Sequence, residues 1–294
     1  MRALLLILEA VVGRLPLHAA QRLGAALGLA VHALLPIRRR EVRRRIAEHL
    51  HVDASTARAV ARAMYRHLGT SALEFLWMAG RPRDALSAIV RRVGDEHYQA
   101  ARRAGRGVIV VTGHVGNWDL CACSQAAAGE PLHVVTKTLS ARGLSRYWMQ
   151  RRSALGVVLH AAAGSLGALV AALRRGEVVG LVVDQRADAG GIECELLGAP
   201  ARTSVAAATL ALRTGAALVP AFLTREPDGT HTLRIEPAIQ IDASVPSRVA
   251  IARATRACNA ALERSIVRAP EQWLWLHRRW SDARVHCTPA RDHV

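Results

Sequence analysis

The chain has 294 residues, is 51% hydrophobic, and carries a formal charge of +17 with a pI near 11.4. This composition excludes a disordered chain and leaves room for one α/β domain with a helical appendage. So large a positive excess points to an anionic partner: nucleic acid, an acidic membrane surface or an acidic protein.

The first eighty residues read as helix. "ALLLILEAVVG" and "LGAALGLAVHALLPI" are two apolar runs, each short of the roughly 20 residues that span a bilayer. Directly after them, Arg38 to Arg45 hold six arginines in eight positions. An apolar helix abutting a basic cluster is the pattern of an anchor on a membrane surface, facing the cytoplasm. A single tilted span containing His32, or an amphipathic pair of core helices, would fit the same residues. A cleaved signal peptide would not, because the arginines lie on the wrong side of the apolar run. "DASTARAVARAMYRHLGTSALEFLWMAG" has apolar residues at helical spacing, Asp53 or Ser55 to cap its start, and Gly80 and Pro82 to stop it. No long linker follows. Residues 1–80 are therefore expected to form a helical, membrane-associating segment packed on an α/β domain of residues 81–294.

From about residue 88 strands and helices alternate. "AIVRRVG", "GVIVVTGH", "LHVVTK", "VVLH", "EVVGLVVD" and "ALVPAFLTR" read as strands. Between them "DEHYQAARRAG", "NWDLCACSQAAAG", "LSRYWMQRRSALG", "SLGALVAALRRG" and "SVAAATLALRTG" read as helices. "THTLRIEP" reads as an edge strand. The alternation predicts an α/β fold with a mostly parallel central sheet flanked by helices. "VIVV" and "VVGLVV" are apolar on both faces, as buried parallel strands are. Gly190 and Gly191 mark a turn. "GAPART" leads to a helix near Ser204, whose first amides could take a phosphate or carboxylate; a capping Thr203 or Ser204 is the plainer reading. A long helix, "SRVAIARATRACNAALERSIVRAP", ends at Pro270. The tail "EQWLWLHRRW" carries Trp273, Trp275 and Trp280, which are expected to pack in the core.

Several chemistries are missing their motifs. The five cysteines, Cys121, Cys123, Cys194, Cys258 and Cys287, are odd in number and unpaired in pattern. They read as reduced thiols, and C-x-C without a second pair is no zinc site. There is no G-x-S-x-G, H-E-x-x-H, Walker or G-x-G-x-x-G element. No helix-turn-helix, RRM or zinc signature supports a nucleic-acid partner. A non-catalytic basic protein that binds nucleic acid or membrane is the rival of a different class.

In open α/β sheets ligands bind beyond the carboxyl ends of the strands. His114, Lys137 (the only lysine in the chain) and Asp184 fall at such ends. In "GHVGNWD", Gly113 and Gly116 permit a tight turn and Asn117 can cap the following helix. If the chain doubles back at Gly116, the Asp119 carboxylate can hold one nitrogen of His114 while the other accepts a proton from an alcohol. The plainer reading makes Asp119 a complement to the helix dipole and His114 a loop residue.

Taken in order, "GHVGNWD", "VVDQ", "GAPARTS...ALRTGAALVPAF" and "RAPEQWLWLHRRW" resemble the late acyltransferases of lipid A biosynthesis, within the wider glycerolipid and lysophospholipid acyltransferase superfamily. The similarity runs from about residue 40 to about 284. It implies transfer of an acyl chain from a thioester, acyl carrier protein or acyl-CoA, to a hydroxyl of an anionic membrane glycolipid, without metal or cofactor. His114 would be the base and Asp119 its orienting partner, although the lauroyl and myristoyl branch more often has glutamate there. The family's downstream arginine falls on Arg151 or Arg152, with Arg152 preferred, and its aspartate before glutamine on Asp184 and Gln185. Arg278 and Arg279 occupy its terminal basic positions. Gly116, Asn117, Lys137 and Thr203 complete the candidate substrate-binding set. The implied location is the cytoplasmic face of the inner membrane. An acyl-CoA-dependent enzyme acting on a lysophospholipid, aminolipid or other glycolipid is the alternative.

Overall fold

The two segments read as buried parallel strands, "VIVV" and "VVGLVV", pair with each other. In the computed structural model, which describes residues 2–82, 84–136, 141–187 and 190–280, they form neighbouring parallel strands inside a seven-stranded sheet. Four helices come first: α1 (Arg2–Val12), α2 (Leu17–Leu34), α3 (Arg39–Leu50) and α4 (Ala54–Ala79). The chain then runs α5 (Asp84–Ser87), β1 (Val90–Val93), α6 (Asp95–Arg103), β2 (Val108–Thr112), α7 (Trp118–Ala127) and β3 (Leu132–Thr136). After these come α8 (Arg142–Ala154), β4 (Val157–Ala161), α9 (Leu166–Arg174) and β5 (Val178–Val182). The remainder is β6 (Gly191–Leu196), β7 (Ala199–Ser204), α10 (Ala206–Thr214), β8 (Ala217–Arg225), β9 (His231–Ile235), α11 (Ser247–Arg268) and a 3₁₀ turn at Pro270–Gln272.

The sheet order is β1-β9-β8-β2-β5-β3-β4, and every pairing is parallel except β8 with β9. The expected α/β class and mostly parallel sheet are thus present. Two local expectations are corrected. β9 is not an edge strand: it lies between β1 and β8, with its apolar Leu233 and Ile235 buried. The stretch from Gly191 to Ser204, read only as a turn and a lead into a helix, is a separate antiparallel hairpin, β6 with β7, turning at Leu197 and Gly198. Its interrupted alternation and its proline at position 200 hide it in the sequence.

Alternate residues of β2 serve two cores, Ile109 and Val111 one, Val108 and Val110 the other. α4 joins both: Ala61, Met64 and Tyr65 enter the first, Phe75, Trp77 and Met78 the second. A helix that fills two cores cannot swing free of the sheet. Asp53 caps α4, accepting from the amides of Ser55 (2.7 Å) and Thr56 (2.8 Å), and Gly80 ends it. Trp273, Trp275 and Trp280 are buried, as expected of core residues. Cys121, Cys123, Cys194 and Cys258 are buried free thiols, and burial pushes the Cys121 thiol up to about 12. Cys287 lies outside the described residues.

α2 lies on α4 with little side chain between them. A Cβ on Gly28 would fall 2.1 Å from the Tyr65 carbonyl oxygen, and one on Gly24 would fall 2.5 Å from that of Gly69. Beside this seam an apolar surface is open. Leu23 and Leu27 of α2, Leu4 and Ile7 of α1, and Leu34 just before the arginine cluster are all exposed, Ile7 by 60% and Leu34 by 77%. Among the described residues no single helix is long and apolar enough to cross a membrane; α2 and α3 pass that test only together, bent by 103°.

Candidate active site

β2 and β5 are paired with Thr112 opposite Val182, and the Val183 amide continues the ladder to the Thr112 carbonyl (3.0 Å). Two residues beyond each strand end stand His114 and Asp184. The sheet register therefore sets side by side two residues that are 70 positions apart in the chain. His114 Nδ1 is 2.8 Å from Asp184 Oδ1, and the His114 amide donates to Oδ2 at 2.7 Å. The Trp273 indole donates to the same Oδ2 at 2.9 Å. Asp184 is 0% exposed, so these donors replace water around its charge. Burial alone would raise its pKa, but the charge and hydrogen bonds of His114 outweigh it and hold the carboxyl well below the usual carboxylate range.

The imidazole is fixed by this arrangement. A carboxylate on Nδ1 places the proton there and leaves Nε2 to accept. Nε2 has no hydrogen bond among the described residues. Burial is the largest influence on His114 and lowers its pKa. The charge and hydrogen bond of Asp184, with the charge of Asp119, outweigh it and leave the pKa raised above the ordinary histidine value. The edges of Trp118 (ring centroids 4.9 Å apart) and His277 (4.6 Å) flank the ring.

Asp119 is placed differently from the sequence expectation. Asn117 caps α7 through its Oδ1, which accepts from the Leu120 amide at 3.0 Å, and this turns Asp119 toward α8. There both carboxylate oxygens accept from Trp148 Nε1 at 3.1 Å, and Arg152 contributes Nε and Nη2, each at 2.5 Å from Oδ1. The carboxylate hydrogen-bonded to His114 is that of Asp184, and Asp119 reaches the imidazole only through its charge. Five-residue spacing across a capped helix start explains this, since the cap commits the first turn before the chain can fold back.

The other candidate residues divide. Arg152 lies beside Asp119, while Arg151 is drawn to Glu9 of α1 at 2.7 Å. Gly116 has φ +60°, and a Cβ there would lie 1.8 Å from the Leu223 carbonyl oxygen, so only glycine fits. Its amide donates to the Gln272 carbonyl at 2.9 Å and is not free to hold an oxyanion. Asn117 is buried, its Nδ2 donating to Glu74 at 2.8 Å. Thr203 is likewise buried, accepting from Asn259 (3.0 Å) and from Arg279 (2.6 Å), a fully buried arginine that ties the hairpin to α11 and the tail. Gln185 and Arg278 are exposed. Lys137 lies outside the described residues.

Beneath the loop is a buried polar group that sequence reading does not reveal. Glu74 of α4 accepts from Arg225 Nη2 (2.6 Å), Gln21 (2.8 Å) and Asn117. His67 Nε2 donates to the Gly116 carbonyl at 3.1 Å, while its Nδ1 faces Arg225 Nη1 at 2.6 Å, which assigns a neutral ring. Burial and then Arg225 push the His67 pKa down to about 3. From the other side, the Leu274 amide donates to the His114 carbonyl at 3.1 Å, and Val115 bridges Trp273. The loop that carries His114 is thus clamped by α4 below and by the tail beside it. Gln21, Glu74, Arg225 and Gln272 carry no local motif. Gln272 and His277 do stand in a quoted stretch, "RAPEQWLWLHRRW", but the sequence assigns neither a role.

His114, Asp184 and His277 bring ligand atoms within 4.8 Å of one another, close enough in kind and spacing to hold a cation. An ion there would compete for the carboxylate that orients His114, so the trio is better matched to proton handling.

The family model for bacterial lipid A biosynthesis acyltransferase matches residues 2–282. The chain is similar to a phosphatidylinositol mannoside acyltransferase of Mycobacterium tuberculosis, with 28% identity over 191 residues, covering 64% of this chain and 58% of that protein. It is also similar to the protein of the same name from Mycolicibacterium smegmatis, at 29% over 189 residues, covering 63% and 60% respectively. The match thus spans less than two thirds of the length of these curated relatives. The family match, in contrast, takes in the first helix, the whole sheet, the His114 loop and the tryptophan-rich tail, and on that extent the chain belongs to the bacterial lipid A biosynthesis acyltransferase family.

Proposed function

We propose that the protein is a membrane-associated O-acyltransferase that moves a fatty acyl chain from a thioester to a hydroxyl of a membrane glycolipid. The observation that carries this reading is the His114–Asp184 pair, with Nδ1 held at 2.8 Å and Nε2 left to take a proton. A neutral alcohol is a poor nucleophile toward a thioester. A histidine whose pKa sits near working pH removes its proton as the new bond forms, a contribution of about 10²–10⁴ in rate. Asp184 fixes the tautomer and stabilises the imidazolium that results. Asp119, neutralised by Arg152, sits close enough to add to the field at His114 without binding it.

The acceptor we favour is a lipid A precursor or a related anionic glycolipid, and the donor an acyl carrier protein. A formal charge of +17 suits both an acidic carrier and an acidic bilayer. The exposed apolar faces of α1 and α2, beside the arginines of Arg38–Arg45, suit docking at the cytoplasmic surface of the inner membrane rather than crossing it. The names of the mycobacterial relatives favour a second acceptor, a phosphatidylinositol-type mannolipid. The test is direct. Purified protein is given labelled acyl carrier protein or acyl-CoA against lipid A precursors, phosphatidylinositol mannosides and lysophospholipids. Ester formation on a glycolipid supports the reading, and transfer to no hydroxyl lipid from either donor refutes it.

A further inference from the structure

If His114 takes the proton, the oxygen of the thioester carbonyl still needs a partner. The acceptor hydroxyl gives its proton to His114 Nε2 and its oxygen bonds to the carbonyl carbon. The C=O electron pair moves onto oxygen, giving an oxyanion. When that pair returns, the C–S bond breaks and the leaving thiolate takes the proton from His114. Enzymes of this kind stabilise the oxyanion with fixed hydrogen-bond donors. Several donors around the imidazole are already committed. The Gly116 amide serves Gln272, the His114 amide and the Trp273 indole serve Asp184, and Arg152 Nε and Nη2 serve Asp119.

His277 carries a ring nitrogen that is not committed. Its ring lies edge-on to His114 with centroids 4.6 Å apart. Its Nε2 is buried and has no hydrogen-bond partner among the described residues. A buried ring nitrogen without a partner is costly unless something fills the place, and beside a reacting centre that something is substrate. The backbone holds the ring in place: the His277 amide donates to the Leu274 carbonyl at 3.1 Å, and its carbonyl accepts from Arg45 Nη1 at 2.5 Å. We propose that His277 is a further catalytic residue, donating its Nε2 proton as a hydrogen bond to the thioester oxygen as that oxygen becomes negative. This rests on the acyl-transfer reading above. A neutral ring suits the task, because it polarises a carbonyl without surrendering a proton. Burial, with the charges of His114, Arg279 and Arg45, outweighs the opposing pull of Asp184 and pushes the His277 pKa down to about 4, so the ring stays neutral at working pH.

The test measures two rates in the full-length protein, acyl transfer to a glycolipid and the slow hydrolysis of the same thioester by water when no lipid is present. Transfer by the wild-type protein establishes the underlying reaction first. An oxyanion donor serves both reactions. His277→Ala should therefore lower transfer and hydrolysis alike, each by about a hundredfold in kcat with KM little changed. His277→Gln, which keeps a neutral N–H donor, should recover part of both. If the alanine variant does not fold, His277→Phe keeps a flat ring beside His114 and should show the same paired loss with an unchanged melting temperature. Loss of transfer with hydrolysis intact would overturn the proposal, because the ring would then serve the lipid hydroxyl. So would rates within threefold of wild type, or a paired loss in Trp118→Phe with none at position 277.

Discussion

Replacing Asp184 by asparagine separates the charge on the imidazole from the shape of its surroundings. The carboxylate accepts three hydrogen bonds: His114 N at 2.7 Å, His114 Nδ1 at 2.8 Å and Trp273 Nε1 at 2.9 Å. An amide has one acceptor oxygen. If that oxygen keeps the two donors on the Oδ2 side, the NH₂ group faces His114 Nδ1, which must then become an acceptor. The single imidazole proton moves to Nε2, where the base should be empty. In a catalytic His–Asp pair of this geometry the wrong tautomer costs about 10⁴ in rate, or about 5.5 kcal/mol of barrier. We expect Asp184→Asn to lower kcat by about 10³–10⁴-fold with the fold retained. The pH profile carries the sign. Asp184 helps to raise the His114 pKa, and a base is active only when unprotonated. The wild-type rate should therefore climb with pH through a value above the ordinary 6.5 of histidine, and any residual activity of the variant should climb at lower pH. The assay is single-turnover transfer of a labelled acyl group from pH 5 to 9, with thermal unfolding as the control for folding. A variant within tenfold of wild type, with its pH limb unmoved, would refute the assignment of Asp184 as the orienting group.

Three further outcomes follow from other parts of the structure. Asp119→Asn and Arg152→Ala should resemble each other, because each breaks a buried ion pair and strands its partner at a cost of about 3–5 kcal/mol; unequal losses in denaturant titration would separate the two residues. Acidification should destabilise the protein. His67 titrates at about 3 when folded, so below the unfolded value of about 6.5 the unfolded chain binds the proton and the folded one does not. Stability should fall by about 1.4 kcal/mol per pH unit from this residue alone, roughly 2 kcal/mol by pH 5, and His67→Gln should flatten that slope in urea titrations. Ile7→Glu with Leu27→Glu places two charges on the open apolar face and should abolish co-sedimentation with anionic vesicles while leaving the melting temperature unchanged.

The sequence discloses the sheet because "VIVV" and "VVGLVV" are short, rich in β-branched residues and apolar at consecutive positions, as strands covered on both faces are, and alternate with helix-length segments. It discloses the helices through cap and stop residues such as Asp53, Gly80 and Pro270. The order of the strands leaves no such mark, and the site depends on it. Nothing local to His114 or Asp184 states that β2 and β5 are neighbours, whereas Asp119 stands five residues away and has the right chemistry. Nearness in the chain favoured Asp119; the cap at Asn117 and the charge of Arg152 decided otherwise. The hairpin of Gly191 to Ser204 was hidden because one of its strands carries Pro200. The Glu74 group escaped notice because its members come from α2, α4, β8 and the loop after β2, and each alone reads as a surface polar residue on a helix or strand.

The measurement that bears most directly on the account is single-turnover transfer of a labelled acyl group by His114→Ala beside the wild-type protein, from a carrier thioester to a glycolipid in anionic vesicles. The account predicts rapid ester formation by the wild type and a loss of at least about 10²–10⁴-fold in the variant, the share supplied by a positioned base, with vesicle binding and melting temperature unchanged. Equal rates in the two proteins would contradict it.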